Sequence, residues 1–183
     1  MKNLFTASLL SIAALGLTAC SNESSDKSGK VAGMTREQQA EDTLRAFKAA
    51  DPGIDRFIMN SAGYVVFPKV SQGALVVGGW AGDGVVYERG MAVGYSNLSG
   101  ASVGAQVGGQ TFSEVIFFKD KADLEVFKRG NTEFDAKMSA VVAKSGAAAK
   151  NDYSKGVAVF ITGQKGLMLE AAIGGQKFNY TAR

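Results

Sequence analysis

The chain has 183 residues, a formal net charge of +3, no histidine, one cysteine, two prolines and 23 glycines. This length suits one domain with a sizeable core and leaves little room for two. The absence of histidine excludes Ser-His-Asp triads, Cys-His pairs and histidine metal sites, and so slight a positive charge does not suggest a nucleic-acid partner.

The first twenty residues have the features of a bacterial lipoprotein signal. Lys2 supplies a short positive region, and residues 4–17 form an apolar stretch too short for a typical membrane-spanning helix. The stretch ends in LTAC at residues 17–20, which matches the lipobox pattern of leucine, two small residues and cysteine. We expect residues 1–19 to be removed and Cys20 to carry acyl chains that anchor the protein in a membrane. The alternative is an ordinary secretory signal with an incidental cysteine.

The residues after Cys20 indicate where the protein goes and where its domain begins. Gram-negative sorting usually retains lipoproteins with aspartate after the cysteine at the inner membrane, and this chain has Ser21 there. We therefore expect a location at the bacterial outer membrane, facing the periplasm. Residues 20–33 are small and polar and predict a flexible tether, which leaves residues 34–183 as the folded domain.

Two short helices are predicted at the start of that domain. Thr35 and Gln38 form a capping box, and a helix to Ala50 would place Ala40, Leu44 and Phe47 on one face. Asp51-Pro52 ends this helix and starts a second one, in which Ile54, Phe57 and Ile58 are the apolar residues and Gly63 is the C-terminal cap. Such an amphipathic pair lies on a membrane surface or, more often, covers a sheet.

Glycine-rich strands are predicted next, between turns rich in glycine. The predicted strands are residues 63–68, 74–80, 84–88, 91–97 and 101–111, and the predicted turns are residues 82–84, 89–90 and 98–100. Alternation places Gly100, Ser102, Gly104, Gln106, Gly108 and Gln110 on one face of the last strand. A face of this kind requires close approach of another element or strong curvature of the sheet.

The second half of the chain continues the sheet. We predict strands at residues 113–118, 134–143 and 156–161, a helix at residues 121–129, a small polar connection at residues 145–154, and a closing strand at residues 167–180. The motif GGQ-x-F occurs twice, at residues 108–112 and 174–178. The predicted fold class is therefore α+β, with a strongly curved, mostly antiparallel, barrel-like glycine-rich sheet covered by two short N-terminal helices and one later helix.

Three short sequences look catalytic but lack the residues that catalysis needs. Residues 100–104 fit G-x-S-x-G, but that nucleophile requires a histidine partner. Residues 79–84 have neither the glycine order nor the following helix of a nucleotide loop. Ser24 and Lys27 lie in the tether, where a Ser-Lys pair has no framework. We therefore expect no enzyme activity and no cofactor.

The ordered set of glycine and aromatic motifs resembles the SYLF domain family of lipid-binding proteins. The matching segments are AGYVVFPKV at residues 62–70, GGWAGDG at 78–84, SVGAQVGGQ at 102–110 and IGGQKF at 173–178. They run in family order over about residues 34–180. The resemblance implies a non-enzymatic domain that binds membrane lipids; eukaryotic members engage phosphoinositides, and some yeast members associate with actin. This chain differs in carrying a lipoprotein signal and no SH3 or zinc-finger domain, so phospholipid is the expected ligand and actin is not.

Phosphate recognition by such a domain needs cations and free backbone donors beside an apolar surface. The candidate lipid-binding residues are Arg36, Arg45, Lys48, Arg56, Lys69 and Trp80. The alternative interpretation of each cation is a solvated surface charge that contacts no ligand. Trp80, the only tryptophan, either anchors at the membrane interface or is buried in the core. The second hypothesis is a structural or protein-interaction lipoprotein whose only membrane contact is the acyl anchor; its protein partner is not indicated.

Overall fold

The computed structural model describes residues 33–74, 77–103, 108–130, 132–133, 140–163 and 175–183. The fold is α+β, as predicted, with one mixed sheet and short helices. The helices are α1 (Arg36–Ala50), a 3-10 turn (Pro52–Ile54), α2 (Asp55–Asn60), α3 (Lys121–Lys128) and α4 (Ala147–Lys150). The strands are β1 (Gly63–Ala74), β2 (Val77–Glu88), β3 (Met91–Val103), β4 (Gly108–Phe118), β5 (Thr132–Glu133), β6 (Val141–Val142), β7 (Val157–Gly163) and β8 (Gln176–Ala182).

The eight strands form one sheet in the order β5-β8-β3-β2-β1-β4-β7-β6. Every described pairing is antiparallel except that of β6 with β7. The β2–β3 hairpin turns at Arg89 and Gly90, both with positive φ, which is the two-residue turn that suits the twist of paired strands. The predicted turn at residues 89–90 is confirmed.

The sheet is strongly curled, as two contacts across its concave face show. Strands lie about 4.8 Å apart, so β1 and β8, three steps apart, would be separated by about 14 Å in a flat sheet. The rings of Phe67 in β1 and Phe178 in β8 have centroids only 5.8 Å apart. Glu114 in β4 and Gln176 in β8 are four steps apart, yet their side chains are hydrogen-bonded at 3.1 Å. The predicted curvature is therefore confirmed, and the concave face encloses an interior.

Two layers of buried side chains cover the two faces of the sheet. The interior cluster lies on the concave face and is closed at one end by Leu124 and Phe127 of α3. The outer cluster lies on the convex face, where Phe47 of α1 and Phe57 of α2 pack against the sheet. The predicted helix pair therefore covers the sheet. The capping box of Thr35 and Gln38 is present, as the sequence indicated.

Glycines on the concave face make room for aromatic rings that lie against the backbone. A Cβ atom on Gly84 would lie 2.7 Å from the ring of Phe67. One on Gly100 would lie 2.7 Å from the carbonyl oxygen of Gly175 and 3.1 Å from Trp80 Cδ1. These distances are shorter than ordinary packing contacts, so a larger residue would displace the ring at position 84, and both the neighbouring backbone and the ring at position 100. Close approach explains these two glycines. The single strand predicted at residues 101–111 was wrong, because its described parts belong to the end of β3 and the start of β4, which are separated by β2 and β1 in the sheet. Of its predicted glycine face, Gly104 and Gln106 lie outside the described residues.

Several predicted strand boundaries were wrong for one physical reason. The predicted turns at residues 82–84 and 98–100 lie inside β2 and β3, which run without a break. Because ladder pairing continues through these glycines and neighbouring atoms pack closely over them, their flexibility does not end the strand. Gly63 begins β1 and does not cap α2.

The carboxyl-terminal predictions were correct in part. The polar connection at residues 145–154 contains α4, and the strand predicted at residues 156–161 is β7. Of the strand predicted at residues 134–143, residues 134–139 lie outside the described part, and Val141–Val142 form β6. Residues 164–174 also lie outside the described part. The described end of the predicted closing strand, residues 167–180, belongs to β8.

Candidate lipid-contact site

Two candidate cations on α1 have acidic neighbours on the outer side of the helix. Arg45 is exposed and forms an ion pair with Asp42, one turn earlier. Lys48 forms an ion pair with Asp55 at 2.7 Å, which links the last turn of α1 to the start of α2. Exposed pairs of this kind contribute at most about 1 kcal/mol to stability. Both cations therefore remain available to an anionic ligand.

Arg36 and Arg56 contact aromatic rings and backbone carbonyls. The Arg36 guanidinium lies 5.5 Å from the centre of the Tyr95 ring in β3. The Arg56 guanidinium lies 4.5 Å from the centre of the Phe57 ring and donates to the carbonyls of Ala148, at 2.7 Å, and Asn151. Arg56 thus links α2 to α4 through these hydrogen bonds. It has this structural role whether or not it also contacts a ligand.

Lys69 and Trp80 lie apart from these helices. Lys69 is exposed beside the bulge in β1, past the part of the sheet that the helices cover. Trp80 is only 5% exposed and packs edge-on against Phe112 in the interior, with ring centroids 5.8 Å apart. Of the two alternatives for Trp80, the structure shows burial. The six candidates do not form one constellation: four lie on the helical layer, one on the open sheet and one inside.

The interior contains a buried polar pair that the sequence analysis did not identify. Glu114 and Gln176 are both 0% exposed, and the Gln176 amide donates to Glu114 at 3.1 Å. Burial raises the pKa of Glu114 to about 8, although the hydrogen bond from Gln176 opposes that effect. Glu114 Oε1 and Gln176 Oε1 are without a partner among the described residues. The signal in the sequence was an acidic residue two positions from Phe112 and from Ile116, on the apolar face of its strand.

A second polar group organises the helical layer from within. Asp51 is buried and accepts hydrogen bonds from the backbone N–H groups of Gly53 at 3.0 Å, Gly146 at 3.3 Å and Ala148 at 2.6 Å. Burial opposes ionisation of Asp51, but these donors together hold its pKa below the usual value. Asp51 was predicted as the cap of the second helix, and it also fixes α4.

None of the helices in the described residues combines the length and apolar character needed to span a bilayer. The described residues also contain no cluster of three or more cysteine, aspartate or glutamate side chains suited to holding a metal ion.

Comparison with known proteins finds a family match over part of the chain. Residues 99–181 match the family model described as Ysc84, Las17-binding protein actin regulator, the model of the SYLF domain. Over these residues the chain is therefore similar to the SYLF family. A SYLF relative is Beta cell expansion factor A of Aeromonas veronii, which is 34% identical over 84 residues, or 46% of this chain and 32% of that protein. The chain thus matches about one third of the length of this relative.

The matched SYLF segment begins within β3, ends at Thr181 in β8 and includes α3 and α4. The resemblance noted at residues 102–110 and 173–178 falls within it, whereas the segments at residues 62–70 and 78–84 precede it. Those two segments form β1 and β2, at the centre of the same sheet as the matched strands. Cys20 and the lipobox lie outside the described residues.

Proposed function

We propose that this chain is a non-enzymatic lipid-binding lipoprotein of the bacterial envelope. Acyl chains on Cys20 anchor it to the outer membrane, facing the periplasm, and its SYLF domain contacts phospholipid headgroups. The lipobox at residues 17–20 supports the anchor. The family match over residues 99–181 supports a SYLF-type domain.

The observation that carries the headgroup contact is the two-sided character of α1. Ala40 and Phe47 are buried against the sheet, whereas Arg45 and Lys48 lie on the solvent side. Phosphate oxygens compete with Asp42 and Asp55 for these cations at little cost, because exposed ion pairs are weak. A cation near an anionic membrane surface contributes about 1 kcal/mol to binding.

Vesicle binding of charge-reversal variants tests the headgroup contact. The protein tested is residues 21–183 without lipid, which retains every described residue. Glutamate at Arg36, Lys48 and Lys69 is expected to weaken binding to anionic vesicles more than binding to neutral vesicles. Equal weakening on both kinds of vesicle would contradict recognition of headgroup phosphate by these cations.

The anchor has a separate test in cells. The full chain is expected to incorporate labelled fatty acid and to fractionate with the outer membrane. Cys20→Ser should abolish the label, and Ser21→Asp should shift the protein to the inner membrane. Fatty-acid labelling that persists in Cys20→Ser would contradict acylation at this residue.

The second candidate function is a protein-interaction lipoprotein whose only membrane contact is the acyl anchor. The description of the matched family as a Las17-binding actin regulator favours this class. Co-sedimentation of residues 21–183 with filamentous actin separates the two candidates, and we expect the protein to remain in the supernatant. Sedimentation with actin but not with lipid vesicles would favour the second candidate.

A further inference from the structure

A hydrogen bond crosses the concave face of the curled sheet and joins two strands that are not paired. The Gln176 amide in β8 donates to Glu114 in β4 at 3.1 Å, although the two strands are four steps apart in the sheet. Side-chain bonds such as that of Asn97 to Asp83, by contrast, join neighbouring strands. We call the bond between Glu114 and Gln176 the cross-sheet bond. It connects β4 to β8 where no backbone ladder does.

Apolar contacts hold the same two strands together at the end that α3 closes. The Phe127 ring of α3 lies against Phe118 in β4, with centroids 4.8 Å apart, and against Phe178 in β8, with centroids 5.7 Å apart. Glu114 precedes Phe118 by four residues, so it lies about 14 Å from that end along the strand. The contacts between β4 and β8 thus include an apolar bridge through α3 and, further along the strands, the cross-sheet bond.

The surroundings of the cross-sheet bond disfavour a charge on Glu114. Both of its side chains are 0% exposed. The residues paired with Glu114 on the two neighbouring strands are Phe67 of β1 and Ile161 of β7, and neither can carry a charge. Burial raises the pKa of Glu114 to about 8, although the hydrogen bond from Gln176 opposes that effect. A carboxylate here would have neither water nor a counter-charge, so the closed arrangement requires the neutral form.

The charged side chains of the strands around Glu114 point away from it. β4 contains no other charged residue, and β7 contains none. Lys69 of β1 is exposed to solvent. Lys177 of β8 lies on the face opposite to its neighbour in the cross-sheet bond and forms an ion pair with Glu133 at 3.4 Å. Tyr180 is titratable and packs against the interior, but its hydroxyl donates to a carbonyl of β3 at 3.1 Å.

Separation of β8 from β4 hydrates an ionised Glu114 at a lower cost than unfolding does. It breaks the cross-sheet bond and the ring contact of Phe67 with Phe178. The ladders of β8 with β3 and of β4 with β1 can persist, because β8 and β4 are not paired with each other. Unfolding would expose both buried layers. Local opening is therefore the less costly response to a charge on Glu114.

Trp80 lies beside the cross-sheet bond and reports such an opening. Its ring packs against Phe112, which is two residues before Glu114 on the same face of β4. Trp80 Cδ1 and Gln176 Cα lie 3.1 and 3.3 Å from the same point, the position of a Cβ atom on Gly100. Trp80 is only 5% exposed in the closed sheet. Movement of β8 away from β4 would therefore bring this ring into contact with water.

We propose that Glu114 is a pH-dependent switch: while its carboxyl keeps its proton the interior stays closed, and release of that proton at alkaline pH lets β8 separate from β4 about α3. The proton passes to water, and the carboxylate becomes hydrated in the open form. The helical layer on the convex face stays packed, because the cross-sheet bond lies on the concave face. The switch requires no lipid, so it goes beyond the proposed function and is tested separately from it.

Acrylamide quenching of Trp80 fluorescence tests the switch in residues 21–183. From pH 6 to pH 9 the ionised fraction of Glu114 rises from about 1% to about 90%, so the quenching constant should increase about threefold or more while the far-UV circular dichroism is unchanged. Glu114→Gln should keep the low constant at every pH, and Glu133→Gln, which alters an exposed carboxylate, should behave as the unsubstituted protein does. A constant that stays low at pH 9 in the unsubstituted protein would overturn the proposal.

Two buried thiol probes separate local opening from unfolding, since residues 21–183 contain no cysteine. Ser96→Cys lies on the concave face, because Ser96 is 1% exposed and pairs with Gly84, over which the Phe67 ring lies. Ala40→Cys lies beneath α1, on the convex face. At pH 9, Ser96→Cys should react with iodoacetamide about tenfold or more faster than Ala40→Cys, and Glu114→Gln should remove the difference.

Two results of the thiol experiment would overturn the switch. Equal rates at the two cysteines at pH 9 would mean that the chain unfolds as a whole when Glu114 ionises. A difference that persists in Glu114→Gln would mean that the interior opens without this carboxyl. At pH 6, where Glu114 is neutral, both cysteines should react slowly in either background.

Discussion

The buried carboxyl group of Glu114 should make the stability of this domain fall as pH rises. Glu114 is fully buried in the interior, and no charged group among the described residues faces it. In the unfolded chain its carboxyl releases a proton near its ordinary value of 4.5, whereas the folded protein retains that proton up to about pH 8. Between those values the folded state binds more protons than the unfolded state. The free energy of unfolding therefore decreases with increasing pH in this range.

The size of this effect follows from the two pKa values. At 1.36 kcal/mol for each pH unit, the interval from 4.5 to about 8 corresponds to a loss on the order of 5 kcal/mol. The loss is complete above about pH 8 and absent below pH 4.5. Since a domain of this kind has a total stability of about 5–15 kcal/mol, the loss is large.

Glu114→Gln should remove this pH dependence. Glutamine has the same shape and still accepts the hydrogen bond from Gln176, but it has no proton to lose. Urea unfolding at pH 5, 6, 7, 8 and 9, followed by fluorescence, measures the free energy of unfolding, and Trp80, the only tryptophan, reports the interior directly. The free energy of unfolding of the variant, relative to that of the wild type, should increase steadily from pH 5 to pH 8. Glu133→Gln, which alters an exposed carboxylate, is the control. Parallel pH curves for wild type and Glu114→Gln would refute the reasoning.

Three further predictions concern stability and use the same urea assay. Asp51→Ala should lower the free energy of unfolding by about 3 kcal/mol, because it leaves buried backbone donors without an acceptor. The variant should also lose less stability in acid than the wild type does, since the lowered pKa of Asp51 stabilises the fold only while the carboxylate is ionised. Retained stability would contradict this role. Gly84→Ala should lower the free energy of unfolding by about 1–3 kcal/mol, because the new methyl group displaces the ring of Phe67. Gly73→Ala is the control: its Cβ would meet nothing within 4 Å, so it should change stability by less than about 0.5 kcal/mol. Similar losses in the two variants would contradict the close-approach argument. Lys48→Ala should cost less than about 1 kcal/mol, and a larger loss would mean that its exposed ion pair is more than a surface contact.

The helices could be predicted from sequence because their signals are local. Thr35 and Gln38 lie within one turn, and Asp51 is followed at once by proline. The hairpin at Arg89 and Gly90 is also a local signal. In each case the residues that determine the structure are within a few positions of one another, so no knowledge of the fold is needed.

Strand boundaries depended on contacts between distant residues and could not be predicted in the same way. Gly84 resembles a turn residue until Phe67, from the neighbouring strand, is known to lie over it. Glu114 is an ordinary polar residue of a strand until the curvature of the sheet brings Gln176 within 3.1 Å. Local sequence gives the glycines and the alternation, and only the closed sheet determines which side chain covers which backbone.

The candidate site was predictable in composition and not in arrangement. The cations of α1 lie on the exposed side, as an amphipathic helix requires, but their acidic partners belong to the packing of α1 against α2. The contact of Lys128 with Glu88 depends on α3 meeting the β2–β3 hairpin, forty residues away in the chain. Sequence periodicity cannot indicate such a meeting, because it reports one element at a time.

The central claim is that the SYLF domain itself binds phospholipid. Its most direct test is flotation of unacylated residues 21–183 with vesicles of phosphatidylglycerol and phosphatidylcholine, measured against vesicles of phosphatidylcholine alone. The account predicts that the protein floats with the anionic vesicles, that binding is weaker on the neutral ones, and that added salt reduces the difference. Protein that stays at the bottom of the gradient with every vesicle would contradict the claim and leave the acyl chain on Cys20 as the membrane contact.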